Sequence, residues 1–229
     1  MTFHVITIFP DSLRSYIDTS ILRKAQEQKK AKILFYTPRD FTKDLHHQVD
    51  DKPYGGGAGM VMKPEPILKT VDHIKKSYKL KAKSYKLIIL SAKGKQFDQK
   101  KALQYSKKYD HIILISGRYE GIDERVRVAL KAEEISIGPY VLTDGELPAA
   151  VLISAITRLI PGVIKKESLL DESFGNWKLE IGNSAKPVEY PHYTRPEVLV
   201  YKNKKFRVPK ILLSGNHQKI KDWRTKKRG

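Results

Sequence analysis

A chain of 229 residues, 40% hydrophobic and 30% charged, suits one large or two small domains around a buried core, with the composition of a soluble globular protein. No apolar run approaches the roughly 20 residues of a membrane span, and the N-terminus lacks the basic lead and apolar core of a secretory signal, so a cytoplasmic protein is expected. Zero cysteines exclude disulfides and thiolate chemistry, while a net charge of +19 and a pI near 9.8 point to a polyanionic partner.

Residues 3–9 alternate and are rich in branched side chains, which predicts a first strand. Pro10, Asp11 and Ser12 open a helix to about residue 29, with Leu13, Ile17, Ile21 and Leu22 on one face. Residues 32–36 form a second strand, stopped by Pro38. A polar stretch leads into Pro53-Tyr-Gly-Gly-Gly-Ala-Gly-Met60, a loop, because four glycines in five positions fit no element interior. Pro64 and Pro66 start a helix with Ile67, Leu68, Val71 and Ile74 apolar, and residues 75–86 are a basic connection. A strand at 86–90 turns at 91–94. A helix at 98–109, a strand at 111–115, a helix at 123–132, a strand at 134–137 and an apolar helix at 147–160 follow. This repeated βα order predicts an α/β fold with a mostly parallel sheet covered by helices.

After Gly162 the character changes. The expected organisation is a first domain at 1–164, a linker at 165–195 and a small, basic, mainly helical domain at 196–229. The tail strands Val198, Leu199, Ile211, Leu212 and Leu213 without a core of their own. Genomic lysine bias would spread charge evenly, yet residues 201–229 hold eleven Lys or Arg against one acid, ten of the nineteen net charges. That placement favours nucleic acid.

Two glycine turns organise the middle of the chain. Ser116-Gly-Arg-Tyr-Glu-Gly and Ser136-Ile-Gly-Pro-Tyr-Val-Leu142 each begin where a short apolar run stops. Ligands of parallel sheets sit beyond the carboxyl ends of strands, so two such turns suggest one pocket, although ordinary strand-to-helix turns share the spacing. Gly55, Gly57 and Gly59 follow no apolar strand and open no helix, which disfavours a dinucleotide loop. His46, His47, His192 and His217 have no cysteine at zinc spacing, and no metal ligand is assigned. No G-x-S-x-G elbow is present.

Seven stretches in order then resemble one family. They are Pro38-Arg-Asp-Phe41, Val49-Asp-Asp-Lys-Pro-Tyr-Gly-Gly-Gly-Ala-Gly-Met60, Gly117-Arg-Tyr-Glu-Gly-Ile-Asp-Glu-Arg125, Ser136-Ile-Gly-Pro-Tyr-Val-Leu142, Gly145-Glu-Leu-Pro148, Pro191-His-Tyr-Thr-Arg-Pro196 and Leu213-Ser-Gly-Asn-His217. Together they resemble the bacterial tRNA (guanine-N1)-methyltransferase family, of the SPOUT class. The resemblance implies a deep trefoil knot at the cofactor site, S-adenosylmethionine as methyl donor and N1 of guanosine 37 of tRNA as acceptor. It also implies a homodimer with active sites shared between subunits; a magnesium requirement stays open.

The same resemblance implies site residues. Leu90, Ser91, Gly117, Ile137, Gly138, Pro139, Tyr140, Val141, Leu142, Gly145 and Pro148 correspond to the cofactor pocket. Arg158 corresponds to the arginine that stabilises the base, and Glu120 to a further carboxylate of the pocket. The general base falls at Glu172 by alignment on Ser-Phe, with Asp171 one residue early as the alternative. His192, Tyr193 and Arg195 correspond to residues that dock the anticodon arm, and Asn216 and His217 either cap the last helix or touch RNA. Ala92, Pro139 and Asp144 depart from the family pattern; a proline at 139 removes a backbone donor from the loop.

Overall fold

The computed structural model describes residues 1–81, 83–170 and 189–227, and its contacts divide the chain into two units, Met1–Ile164 and Lys165–Gly229. The first is built on β1 (Thr2–Ile6), β2 (Lys32–Tyr36), β5 (Tyr85–Gln96), β6 (His111–Ser116) and β7 (Glu133–Ser136). These pair in the order β2-β1-β6-β5-β7, and every pair is parallel. Central β6 buries Ile112, Ile113, Leu114 and Ile115 completely, each contributing about 1.5–3 kcal/mol of transfer free energy.

The strands alternate between two cores. Phe3, Val5, Ile88, Leu90, Ile112 and Leu114 face α1 (Asp11–Ile17), α2 (Ser20–Glu27), α4 (Gln99–Lys108) and α6 (Glu146–Thr157). Ile6, Ile89, Ile113 and Ile115 face α3 (Pro64–Ser77) and α5 (Glu124–Leu130). Both faces are covered, which is why β6 and the first half of β5 read as continuous apolar runs rather than alternating ones.

Several elements differ from expectation. The first helix is two, because the chain breaks at Asp18–Thr19 and Ser20 adopts φ 48°. β5 does not end at residue 90: Leu90 and Lys95 both pair with Ile135, so residues 91–94 form a bulge and the strand resumes. Gly94 permits this, since a Cβ there would lie 2.6 Å from the backbone of Glu134 and Ile135. A two-residue antiparallel ladder, β3 (Asp50–Asp51) with β4 (Val61–Met62), brackets the glycine loop.

At the amino ends of the strands lies a polar cluster. His4 is fully buried; its Nε2 is 3.0 Å from His111 Nδ1 and its Nδ1 is 3.1 Å from Tyr36 Oη, with Tyr78 edge-on to the ring. Glu133 receives Lys86 at 2.5 Å, Lys101 at 3.3 Å and the Tyr105 hydroxyl at 2.9 Å, so β5, α4 and β7 meet on one carboxylate.

The second unit begins with α7 (Lys166–Leu170) and ends with α8 (Lys210–Leu213) and α9 (His217–Lys227). Beside these helices it holds a strand pair that the sequence reading did not expect: β8 (Val198–Tyr201) and β9 (Lys204–Arg207) form an antiparallel hairpin. Its two-residue turn holds Lys202 at φ 48° and Asn203 at φ 61°, the left-handed pair that matches strand twist. Asn216 Oδ1 accepts from Lys219 N at 3.0 Å and so caps α9. Arg224 stacks on buried Tyr190 at 4.9 Å, and Tyr193 meets Trp223 at 6.3 Å. No helix among the described residues is long and apolar enough to cross a membrane.

Candidate active site

A cleft of about 410 Å³ lies at the carboxyl ends of β5, β6 and β7. Leu90 and Ser91 enter it from β5 and its bulge, and Gly117 and Glu120 from the turn after β6. The loop after β7 contributes Ile137, Gly138, Tyr140, Val141 and Leu142; the entry to α6 contributes Gly145 and Pro148. Pro139 is not among the lining residues. It sits where the loop turns: Ser136 Oγ donates to Gly138 O at 2.8 Å, and Tyr140 N donates back to Gly138 O at 3.0 Å.

One contact holds the cleft together. Gly145 N donates to Gly117 O at 2.9 Å, and Ser116 Oγ donates to Gly145 O at 3.1 Å. A Cβ on Gly145 would lie 2.6 Å from Gly117 N and 2.7 Å from Ser116 Cα, both backbone atoms that cannot yield. Gly145→Ala is therefore expected to part the two loops. Calorimetry should then show uptake of S-adenosylhomocysteine weakened by about a hundredfold or more, with unchanged far-ultraviolet circular dichroism. Wild-type affinity would show the contact to be dispensable.

The glycine loop at 53–60 is stitched to the same turn. Glu120 N donates to Met60 O at 3.0 Å, Met62 N to Gly121 O at 2.9 Å and Asp123 N to Met62 O at 3.1 Å. Gly55, Gly56, Gly57 and Gly59 all have φ between 76° and 121°, so the loop's path requires glycine. Two motifs 60 residues apart in sequence thus form one wall.

Beneath the cleft is a charged brace that sequence reasoning missed. Glu146, 2% exposed, accepts from Thr7 Oγ1 at 2.5 Å and from Arg118 Nε at 3.0 Å. Burial pushes its carboxyl up, and the Thr7 and Arg118 contacts oppose that. Asp144 accepts from the amides of Glu146 and Leu147 at 3.0 and 3.1 Å, capping α6, and lies 3.7 Å from Arg118. Burial raises its pKa, but hydrogen bonds from Leu147 N and Thr143 and the charge of Arg118 outweigh burial and hold it low. The missed signal was an acid inside an apolar helix, since a buried carboxylate requires partners.

The remaining assigned residues are not among the residues that line this cleft. Arg158 is the C-cap of α6, and twelve residues of helix put it about 18 Å from the cleft end of that helix. His192, Tyr193 and Arg195 belong to the second unit. Asp171 and Glu172 lie outside the described residues. Among the described residues no three His, Asp or Glu side chains converge on a metal site, so the magnesium left open by the sequence has no assigned ligand.

The residues present fit an adenosine-bearing ligand: the volume lies in the range of small-molecule pockets, and apolar Leu90, Ile122, Ile135, Ile137, Leu142 and Pro148 line it together with polar groups. A parallel sheet whose glycine loops enclose such a cleft has the architecture of a SPOUT-class methyltransferase domain. Over residues 1–229 the chain matches the family model described as tRNA (Guanine-1)-methyltransferase TrmD, and it belongs to that family. It is 48% identical over 227 residues to the tRNA (guanine-N(1)-)-methyltransferase of Carboxydothermus hydrogenoformans, covering 99% of this chain and 82% of the relative. Similar relatives carrying the same name occur in Clostridioides difficile (48% over 225 residues; 98% and 90%) and Dictyoglomus turgidum (49% over 223 residues; 97% and 82%).

Proposed function

We propose that this chain transfers a methyl group from S-adenosylmethionine to N1 of guanosine 37 of tRNA, as a cytoplasmic homodimer. The observation that carries the reading is the cleft between the Gly117 and Gly145 loops, in a chain whose whole length matches a tRNA (guanine-N1)-methyltransferase family. Residues 1–164 hold the donor, 165–195 link, and 196–229 bind tRNA with help from His192, Tyr193 and Arg195. Membership of that family implies a trefoil knot at these loops, which the hydrogen bond from Gly145 to Gly117 holds side by side.

The donor supplies a sulfonium methyl that needs no further activation, so the protein must orient it and free a lone pair on the acceptor. Guanine N1 is protonated at neutral pH. Glu172, or Asp171 beside it, takes that proton, while Arg158 stabilises the charge that develops on O6. Glu120 reaches into the same cleft and forms no ion pair among the described residues.

Two features support a shared active site. The length of α6 separates Arg158 from its own cleft. The same helix also exposes Leu147 (54%) and Val151 (39%), one turn apart on the face that continues through Ser154 to Arg158. A second copy seated on that face would bury the apolar pair and bring in an arginine. Incubation with labelled S-adenosylmethionine and unmodified tRNA, followed by mapping of the modified base, tests the whole reading. Label at N1 of guanosine 37 is expected, and label at any other base would overturn it.

A further inference from the structure

The surplus positive charge of the first unit is not where the reacting base must arrive. Three cations line the cleft, and all are engaged. Lys93 lies 3.4 Å from Glu134 and 3.8 Å from Glu124; Arg127 pairs with Glu124 at 2.5 Å; Arg118 is held by Glu146 and Asp144. Five carboxylates (Glu120, Asp123, Glu124, Glu134, Asp144) share that lining with them. The cleft of a +19 protein therefore leans acidic.

A cluster of lysines without ion pairs lies at the opposite end of the strands. Residues 73–97 contain eight lysines and no Asp or Glu. The end of α3 and the connection after it expose Lys76, Lys79, Lys81 and Lys83, and the last turn of α4 exposes Lys107 and Lys108. Ser84 O accepts from Asp110 N at 3.1 Å and His111 N at 3.2 Å, which fastens the two lysine runs side by side where Tyr85 pairs with His111. Among the described residues none of the six lysines forms an ion pair. The acids beside them are Asp72 and Asp110, since Glu133 is already held by Lys86 and Lys101. Helix-end electrostatics account for Lys76, Lys107 and Lys108, but Lys79, Lys81 and Lys83 lie beyond the helix they would serve. The five-residue step from Tyr85 to Leu90 puts this surface about 17 Å from the cleft.

We propose that these six lysines form a second RNA-binding surface, which takes the phosphodiester backbone of the double-helical body of tRNA outside the arm that is methylated. The proposal rests on the tRNA reading above. Six lysines without an arginine, outnumbering the two acids beside them, suit point contacts to phosphate and not the reading of bases. A duplex offers one phosphate per about 1.7 Å of axis, so a surface two helix ends wide meets several at once.

The test compares wild type with a variant carrying glutamine at all six positions, and with Lys79→Gln/Lys81→Gln/Lys83→Gln, which spares both helices. Two RNAs are used: full-length unmodified tRNA and the isolated anticodon stem-loop. At about 0.15 M salt the six-site variant should bind full-length tRNA about tenfold or more weakly, with a log K against log salt slope shallower by about three to five, and the triple variant by about half that. Stem-loop affinity and S-adenosylhomocysteine uptake should stay at wild-type values. An unchanged slope for full-length tRNA, or equal weakening of both RNAs, would overturn the surface's assignment to the tRNA body. A wild-type protein that takes up S-adenosylhomocysteine but no tRNA would sink the surface and the substrate together, leaving the cleft standing.

Discussion

Subunits carrying Arg158→Ala and subunits carrying Gly145→Ala, each inactive alone, are expected to recover about a quarter of wild-type methylation when unfolded, mixed one to one and refolded together. The Arg158→Ala subunit keeps an intact cleft and lacks the arginine; the Gly145→Ala subunit keeps the arginine and has a parted cleft. Random pairing makes about half of the dimers mixed, and each mixed dimer holds one complete site in two. Were cleft and arginine supplied by the same chain, mixing would restore nothing. By itself Arg158→Ala should lower kcat by about 10²–10³-fold, because in the proposed mechanism it removes a charge that acts only as O6 gains electron density. S-adenosylhomocysteine binding should be untouched, since Arg158 lies a helix length from the cleft. Glu172→Gln should be at least as severe, with Asp171→Asn mild; the reverse order would move the proton-accepting role to Asp171.

Acid should destabilise the fold through His4 well before it protonates the carboxylates. Burial, then the neighbouring His111, then the charge of Lys32 lower its pKa from 6.5 to about 4. Well above pH 6.5 His4 is uncharged in both folded and unfolded chains and contributes no pH dependence. As pH falls below 6.5 the unfolded chain takes up a proton that the folded chain refuses, so stability declines until about pH 4. The full loss is about 3 kcal/mol, a large share of a domain's stability. Complete burial of the ring is the main reason, and the 3.0 Å approach of His4 Nε2 to His111 Nδ1, which leaves room for one proton between them, adds to it. His111 is itself shifted down by burial, so neither ring readily accepts a second. Urea unfolding at pH 7 and near pH 4.5 should show the decline in wild type and a smaller one in His4→Gln. Equal declines would assign the acid sensitivity to other groups.

Much of the parallel sheet was legible because its strands are short apolar runs that end at glycine: 111–115 before Gly117 and 134–137 at Gly138. Covered on both faces, such strands must be uniformly apolar, and that signal is local. What escaped was decided by contacts distant in sequence. Nothing near residue 90 announces that β5 resumes after a bulge, because Ile135 supplies the partner on both sides of it. The C-terminal hairpin escaped for a different reason: Lys202-Asn203 is an unadvertised left-handed turn, where a glycine would have flagged it. At the site, glycine positions were readable as a pocket, but the brace of Thr7, Arg118, Asp144 and Glu146 joins three loops that only the fold brings together. The displacement of Arg158 from the cleft likewise depends on the straight run of α6.

The parallel order also sets a timetable for synthesis. Thr2 pairs with His111, a partner translated 109 residues later, which at ribosomal speeds of 5–20 residues per second is about 5–20 s of waiting. Through that interval Phe3, Val5 and Ile6, all destined for complete burial, have only one of their two strand neighbours, parallel β2, with the helices made by then and whatever chaperone meets the nascent chain. Methyl-donor binding comes later still, because Gly145 must emerge before its loop can close on Gly117.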